Sequence, residues 1–423
     1  MHGLHTNIRI YALWLLVAAL MVCCRKNDDV DDNMLRGDNK FYYTVNNIEA
    51  MERVSLIMYN GENPSEREER FKLIHISDPH LSGWSTGNHA SHPNNLIESV
   101  VFANQRELRI DAMVETGDHI SNAPAKIARE NMESFFHHLY AENYIPTFSC
   151  YGNHDANMDN RKDAYITSGE LAEAINRHTN YPQGKILPGK SYYYADVPNP
   201  QGGMIRIIAL YMLDQPGSEY DALHYTIYSQ EQINWLGNVA LKEGMSDRHS
   251  VIVLAHFPFQ ESAWKGKATL QESYLRDADF VHTWKLVPEI IEAFRTRSII
   301  DKTYPNILFP QRVGINAGFD FSDATGEFVC YLGGHAHCFA LFDVRNTGAI
   351  LPPQKMILCS NQSPSESNSV YNRVHRIPSS LISNSFNIYA VDTKEKKVYI
   401  TFFGAYIPFN EPNFPSVMEF SYL

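Results

Sequence analysis

Short apolar runs alternate along the chain with stretches whose apolar residues recur at helical spacing. Nine runs read as strands: Lys72–Ser77, Ala112–Thr116, Tyr144–Cys150, Met204–Leu213, Ser250–Ala255, Glu327–Leu332, Lys355–Cys359, Phe386–Val391 and Lys397–Phe403. Most are rich in Ile, Val, Phe and Tyr, and several are almost continuously apolar, as strands covered on both faces should be. Between them, Leu96, Ile97, Val100 and Val101 share one helical face, as do Ile127, Phe135, Phe136 and Leu139. Ser229 with Gln232 reads as a capping box opening a helix that carries Trp235, Leu236 and Val239, and Ile290, Ile291 and Phe294 mark another helix. The alternation predicts an α/β sandwich whose last two strands form a hairpin-like addition.

The segment 257–323 is too long for a single structureless connection, so it is expected to hold helices of its own and to cover something. Its Trp264, Lys265, Lys267, Tyr274 and Arg276 fit either a substrate contact or a solvated face with aromatic anchors.

The N-terminus has a different character. Ile10–Cys24 is an uncharged, mostly apolar stretch between Arg9 and Arg25, too short for a membrane span of about 17–25 residues but matched to a secretory signal. It ends in Leu20, Met21, Val22, Cys23 and Cys24, which resembles a bacterial lipobox, with Cys23 or Cys24 as the lipidated residue. The expected organisation is a signal over 1–24, a polar tether and extension over 25–70, a main α/β domain over 71–404 with the insertion 257–323, and a tail over 405–423. Such a protein is exported and held at a membrane by its lipid, on the periplasmic or cell-surface face.

Charge narrows the chemistry. The 36 Lys and Arg against 48 Asp and Glu give a net charge of −12 without a long basic run, which argues against a sequence-independent grip on nucleic acid. An anionic substrate then needs a local cation, and the 18 His make bound metal the natural source. Beyond the lipobox only Cys150, Cys330, Cys338 and Cys359 remain, too few for a disulfide scaffold and expected as buried free thiols; their possible pairings stay open.

Five clusters follow strand-like runs: Asp78 and His80; Gly117 and Asp118; Gly152, Asn153, His154 and Asp155; His256; and Gly334, His335 and His337. Groups at the carboxyl ends of neighbouring strands converge in space. Carboxylate, imidazole and amide donors suit borderline or hard divalent and trivalent cations. Asp78 and His80, like His335 and His337, are two apart, which on extended backbone sends both side chains the same way. The glycines before Asp118, Asn153 and His335 permit sharp turns and close approach.

In this order the clusters resemble the calcineurin-like metallophosphoesterases, whose pattern runs DxH, GDxx, GNH followed by D or E, a later H, and GHxH. The resemblance spans about residues 71–404. It implies two mixed β-sheets packed as a sandwich flanked by helices, and two metal ions drawn from Mn, Fe, Zn or Mg. Asp78, His80 and His337 would hold the first ion, Asn153, His256 and His335 the second, and Asp118 would bridge them. His154 would be the catalytic histidine and Asp155 would orient its ring. The implied reaction is hydrolysis of a small phosphomonoester or phosphodiester by a metal-bridging hydroxide. A non-catalytic metal-site binding protein and a nuclease of the same superfamily are the alternatives.

The remaining His75, His89, His92, His119, His137, His138, His249 and His282 read as core or surface residues, with His119 a candidate to line the pocket. Asn122 reads as a cap of the next helix rather than a ligand contact. Ser121 stands where purple acid phosphatases carry a tyrosine, which disfavours a purple ferric site. The 86 residues after His337 are too few for the large C-terminal domain of bacterial nucleotidases in this superfamily.

Overall fold

Phe71–Ile76 (β3), His249–Leu254 (β9) and Ser385–Asp392 (β15) are buried at every position, which is why their sequences show little polar alternation. They form the interior of two sheets in the computed structural model. The structure describes residues 45–63, 65–81, 92–157, 164–179, 185–186, 189–214, 228–259, 285–305, 314–337, 339–344, 352–360, 362, 383–405 and 415–423. The stretch Ile10–Cys24, the tether to residue 40, His89, His282, Cys338 and the five insertion residues from Trp264 to Arg276 lie outside them.

The first sheet runs β17-β16-β15-β3-β4-β5, with β4 at Ala112–Glu115, β5 at Thr147–Ser149, β16 at Lys397–Gly404 and β17 at Met418–Ser421. Its β3, β4 and β5 are parallel, and β15 joins β3 antiparallel. The late hairpin β15–β16 is thus built into the sheet rather than added beside the domain.

The second sheet runs β13-β14-β12-β9-β8-β7-β6. Its strands are β6 (Lys185–Ile186), β7 (Tyr193–Pro198), β8 (Met204–Ala209), β9, β12 (Glu327–Gly333), β13 (Ala340–Asp343) and β14 (Lys355–Leu358). Here β8, β9, β12 and β14 are parallel, so both sheets are mixed. One continuous apolar cluster draws on both. Polar ties cross between them: Ser149 N donates to Tyr193 Oη at 2.8 Å, and Asn387 Nδ2 donates to Leu358 O at 3.2 Å.

Helices flank the sheets. Val45–Ile57 (α1) lays Ala50 and Val54 into the core, and its Arg53 donates to Thr401 Oγ1 at 3.1 Å. Phe102 of His92–Ala103 (α2) packs edge-on against Phe386 and Phe403, which stack on each other at 4.4 Å. Ala125–Tyr140 (α3) and Ser168–His178 (α4) complete that side, α4 opened by a full capping box between Thr167 and Glu170. Gln230–Trp235 (α5) is capped by Ser229, which accepts from Gln232 N at 3.0 Å; the box is half formed, because the Gln232 side chain serves the Tyr211 backbone instead.

Two expected boundaries move. Residues 45–70 belong to the folded domain through α1, Tyr59–Asn60 (β1) and Glu68–Glu69 (β2), and the 405–423 tail supplies strand β17. The described part of 257–323 holds helix Leu286–Thr296 (α6) and an antiparallel hairpin, Ile299–Tyr304 (β10) with Ile315–Asp320 (β11). Phe319 of that hairpin lies over Gly237, where any larger side chain would strike its ring. Cys150 and Cys330 are buried free thiols, and the buried thiol of Cys359 donates to His75 O at 3.2 Å. Among the described residues no helix is long and apolar enough to cross a membrane.

Candidate metal centre

All five clusters sit just beyond the carboxyl ends of neighbouring strands: β3, β4 and the edge strand β5 in one sheet, β9 and β12 in the other. The first two loops run side by side, Asp78 N donating to Gly117 O at 3.0 Å and His80 N to Asp118 O at 2.9 Å. On the other sheet, Gly334 N donates to His256 O at 2.9 Å.

The backbone there is not extended. Asp78, His80, Asp118, His335 and His337 have φ of 50°, 47°, 57°, 64° and 52°, all in the left-handed region that costs non-glycine residues on the order of 1–3 kcal/mol each. The two-residue spacing therefore works through a strained turn past each strand end, not through strand alternation. Gly117 (φ 94°) and Gly152 let the second and third loops close on each other. A Cβ on Gly117 would lie 2.7 Å from His256 Nδ1, and one on Gly152 would run into the Asp118 carboxylate.

The structure brings all seven expected ligands together as two sets that share Asp118. Donor atoms of Asp78, His80, Asp118 and His337 gather within 4.8 Å of one another, and so do those of Asp118, His256 and His335. Within the first set, His80 Nε2 and His337 Nε2 are 3.0 Å apart, and His337 Nε2 is 3.3 Å from Asp78 Oδ1. Within the second, His256 Nε2 is 3.3 Å from Asp118 Oδ2 and 3.2 Å from Asn153 Oδ1, while His335 Nδ1 is 3.1 Å from Asn153 Oδ1.

This donor set fits cations. His256 Nδ1 is 2.7 Å from Thr116 O, a partner that can only accept, so Nδ1 carries a proton and a neutral ring turns its bare Nε2 to the cluster. Burial opposes charge on Asp78, but His337 and His256 outweigh it and hold the carboxyl at about 2; Asp118 is likewise held well below its usual range by His256 and His154. Burial lowers His335 to about 3 and His80 well below its usual value. At His256 burial also works downward, but the Asp118 and Asp78 carboxylates prevail and raise the ring to about 10.

His154 sits on the open side. Its side chain is 28% exposed against 0% for Asp78 and His256, and its Nε2 lies 4.0 Å from Asp118 Oδ2. Two expectations about its surroundings are corrected. Asp155 does not orient the His154 ring: its carboxylate accepts from the backbone amides of Gly152, Asp118 and His119 at 2.7–2.9 Å, pinning the second loop to the third. Asn122 does not cap α3, whose N-cap is Pro124; its Nδ2 lies 2.9 Å from His154 Nδ1 and steadies the ring. A short polar residue just after the GD turn is the signal that could have identified it.

His119 does not line a pocket either. It is fully buried, bonded to Glu115, and stacked on Phe135 at 4.3 Å. Ser121 Oγ donates to His80 O at 3.1 Å, which ties the first two loops together.

Residues 71–294 match the family profile described as calcineurin-like phosphoesterase. The match contains Asp78, His80, Asp118, Asn153, His154 and His256, whereas His335 and His337 lie beyond it and join through β12. No curated protein matches the chain. Among solved structures, Vacuolar Protein Sorting 29 from Cryptosporidium parvum is 11% identical, covering 83% of this chain and 98% of its own, with a TM-score of 0.30. Vps29 from Chaetomium thermophilum is 10% identical, with coverages of 83% and 96% and a TM-score of 0.27. A metallophosphoesterase from Sphaerobacter thermophilus is 12% identical, with coverages of 81% and 90% and a TM-score of 0.27.

Proposed function

Because the chain belongs to the calcineurin-like phosphoesterase family, we propose that it is a dinuclear metal-dependent hydrolase of small phosphomonoesters or phosphodiesters. The observation that carries this reading is the sharing of Asp118 by two ligand sets, with His154 beside it on the open face. Mn, Fe, Zn or Mg ions at the two sets would neutralise phosphoryl oxygens and acidify water at neutral pH.

The chain's own residues supply the rest. Asp78, His80 and His337 would hold one ion and Asn153, His256 and His335 the other, with Asp118 Oδ2 facing both sets, 3.7 Å from His80 Nε2 and 3.3 Å from His256 Nε2, while Asp118 Oδ1 accepts the His154 amide. Asn122 donates to His154 Nδ1, which leaves the proton of a neutral ring on Nε2, the atom directed to the cluster. That nitrogen is placed to donate to the departing oxygen of the ester. A partly exposed histidine with no place in either ligand set favours an enzyme over a metal-site binding protein. The net charge of −12 favours a small ester over nucleic acid.

The proposal extends to an exported protein lipidated at Cys23 or Cys24, supported by the apolar stretch that precedes them. The mass of the mature N-terminus tests that part. For the activity, purified protein is assayed on aryl phosphomonoesters and phosphodiesters before and after chelation, with each of the four metals restored in turn. Chelation should abolish turnover and metal should restore it; turnover that survives complete metal removal would refute the reading.

A further inference from the structure

A line of buried polar side chains enters the metal centre from behind. Asn387 Nδ2 donates to Tyr389 Oη at 2.9 Å; Tyr389 Oη is 2.9 Å from His75 Nδ1; and His75 Nε2 is 2.8 Å from Thr116 Oγ1. Thr116 Oγ1 then lies 2.8 Å from Ser77 Oγ, and Ser77 Oγ 2.6 Å from Asp78 Oδ2. Every member is 0–1% exposed.

The direction of each bond follows from the end of the line. Asp78 also accepts the His335 amide, at 3.2 Å on Oδ1 and 3.1 Å on Oδ2, so it acts as a carboxylate acceptor and Ser77 must donate to it. A hydroxyl has one proton, so Ser77 can only accept from Thr116, and Thr116 can only accept from His75. The His75 ring therefore carries its proton on Nε2, its Nδ1 accepts from the Tyr389 hydroxyl, and the Tyr389 oxygen accepts from Asn387. All five bonds point toward Asp78, each polarised by the next.

We propose that His75 is a positioning residue for the metal centre: the relay it completes ties back Asp78 Oδ2 and leaves Oδ1 as the oxygen offered to a cation beside His337 and His80. The proposal rests on Asp78 being a metal ligand, as in the function above. Oδ1 is the oxygen 3.3 Å from His337 Nε2 and 3.9 Å from His80 Nε2, whereas Oδ2 faces Ser77. The strands themselves build the line, since β15 pairs with β3 so that Asn387 lies opposite His75, and Thr116 follows β4 on the other side. A histidine serving the core alone would have no effect on metal uptake. One that sets the outer shell should, because such partners are worth about 10–100-fold in metal affinity.

The test titrates full-chain protein, stripped by chelation, with Mn2+ and follows both binding steps. His75→Asn cannot reach Thr116 and should weaken one step by about tenfold or more while sparing the other; His75→Gln carries an amide nitrogen to the position of Nε2 and should restore it. If His75→Asn fails to fold, Thr116→Val removes the same link with little change of shape and should give the same selective loss. Both steps unchanged in a folded His75→Asn or Thr116→Val protein would overturn the proposal. Selective loss in a protein that hydrolyses no phosphoester upholds the relay and retires the phosphoesterase reading. An active wild type whose variants bind Mn2+ as it does retires the relay alone.

Discussion

Asn122 Nδ2 lies 2.9 Å from Nδ1 of His154, and because an amide nitrogen only donates, that contact decides which ring nitrogen can hold the proton of a neutral imidazole. The proton belongs on Nε2, toward Asp118 and the open face. Asn122→Asp replaces a donor with an acceptor, so the proton of a neutral ring moves to Nδ1 and the Nε2 turned to the cluster is left bare. We expect kcat to fall by about tenfold or more at unchanged metal content. Asn122→Ala, which removes the donor without supplying an acceptor, should lower kcat by about tenfold at unchanged metal content. Unchanged kcat in Asn122→Asp would remove Asn122 from the mechanism.

Asp118 and His154 separate metal binding from proton donation. Asp118 Oδ2 lies 3.3 Å from His256 and 3.7 Å from His80, so Asp118→Asn withdraws charge from both ligand sets at once. Bound metal should fall below two equivalents, and turnover should drop by about 100-fold or more. His154→Gln should leave metal content intact and lower kcat by about 100-fold. Elemental analysis beside steady-state kinetics reads both, and loss of metal in His154→Gln would contradict this division of labour.

Asp155 has a different predicted signature because it holds backbone and not the catalytic ring. Asp155→Asn turns an amide group toward the Gly152, Asp118 and His119 N–H groups, leaving at least one buried donor unpaired at about 1–3 kcal/mol. The melting temperature and metal affinity should both fall. Activity should return at high metal concentration with the shape of the pH profile preserved. A shifted profile at saturating metal would instead give Asp155 a direct role on His154.

The parts legible in the sequence are those whose physics is local. All nine strand-like runs are strands, because burial on both faces, as in β3, β9 and β15, writes itself as an apolar run. Strands β10 and β11 escaped notice because they are half-exposed, Ile299 being 66% accessible, and β7 because Asp196 interrupts it to meet Arg206 at 2.7 Å. The seven expected ligands were readable as one cluster because each follows a strand. Their left-handed backbone was not, since a spacing of two looks the same in a strand and in a turn. The exchange of roles between Asp155 and Asn122 was equally hidden, because it depends on how two separate loops face each other. For His75, the sequence shows only a histidine in an apolar strand; its partners Tyr389 and Thr116 come from two neighbouring strands.

Away from the metal centre, Asp392 at the β15–β16 turn supplies a test of acid stability. It is fully buried and accepts from Arg70 Nε at 2.8 Å, Gln201 Nε2 at 3.1 Å and the amides of Lys394 and Glu395 at 3.1 and 2.9 Å. Burial raises its pKa, but the Glu395 amide, Arg70 and Gln201 outweigh burial and hold it below the usual carboxylate value. A depressed folded pKa means that its contribution is complete above the unfolded value of about 3.9 and is lost as the pH falls through the folded one. Asp392→Asn removes the nearer of the two acidic partners of Arg70, leaving Glu395 at 3.6 Å, and should lower unfolding free energy by about 1–3 kcal/mol at neutral pH. Urea denaturation of wild type and variant at a series of pH values should show that difference constant from neutrality down to about pH 5 and shrinking below about pH 4. A difference that persists undiminished into acid would mean that Asp392 acts through packing and not through its charge.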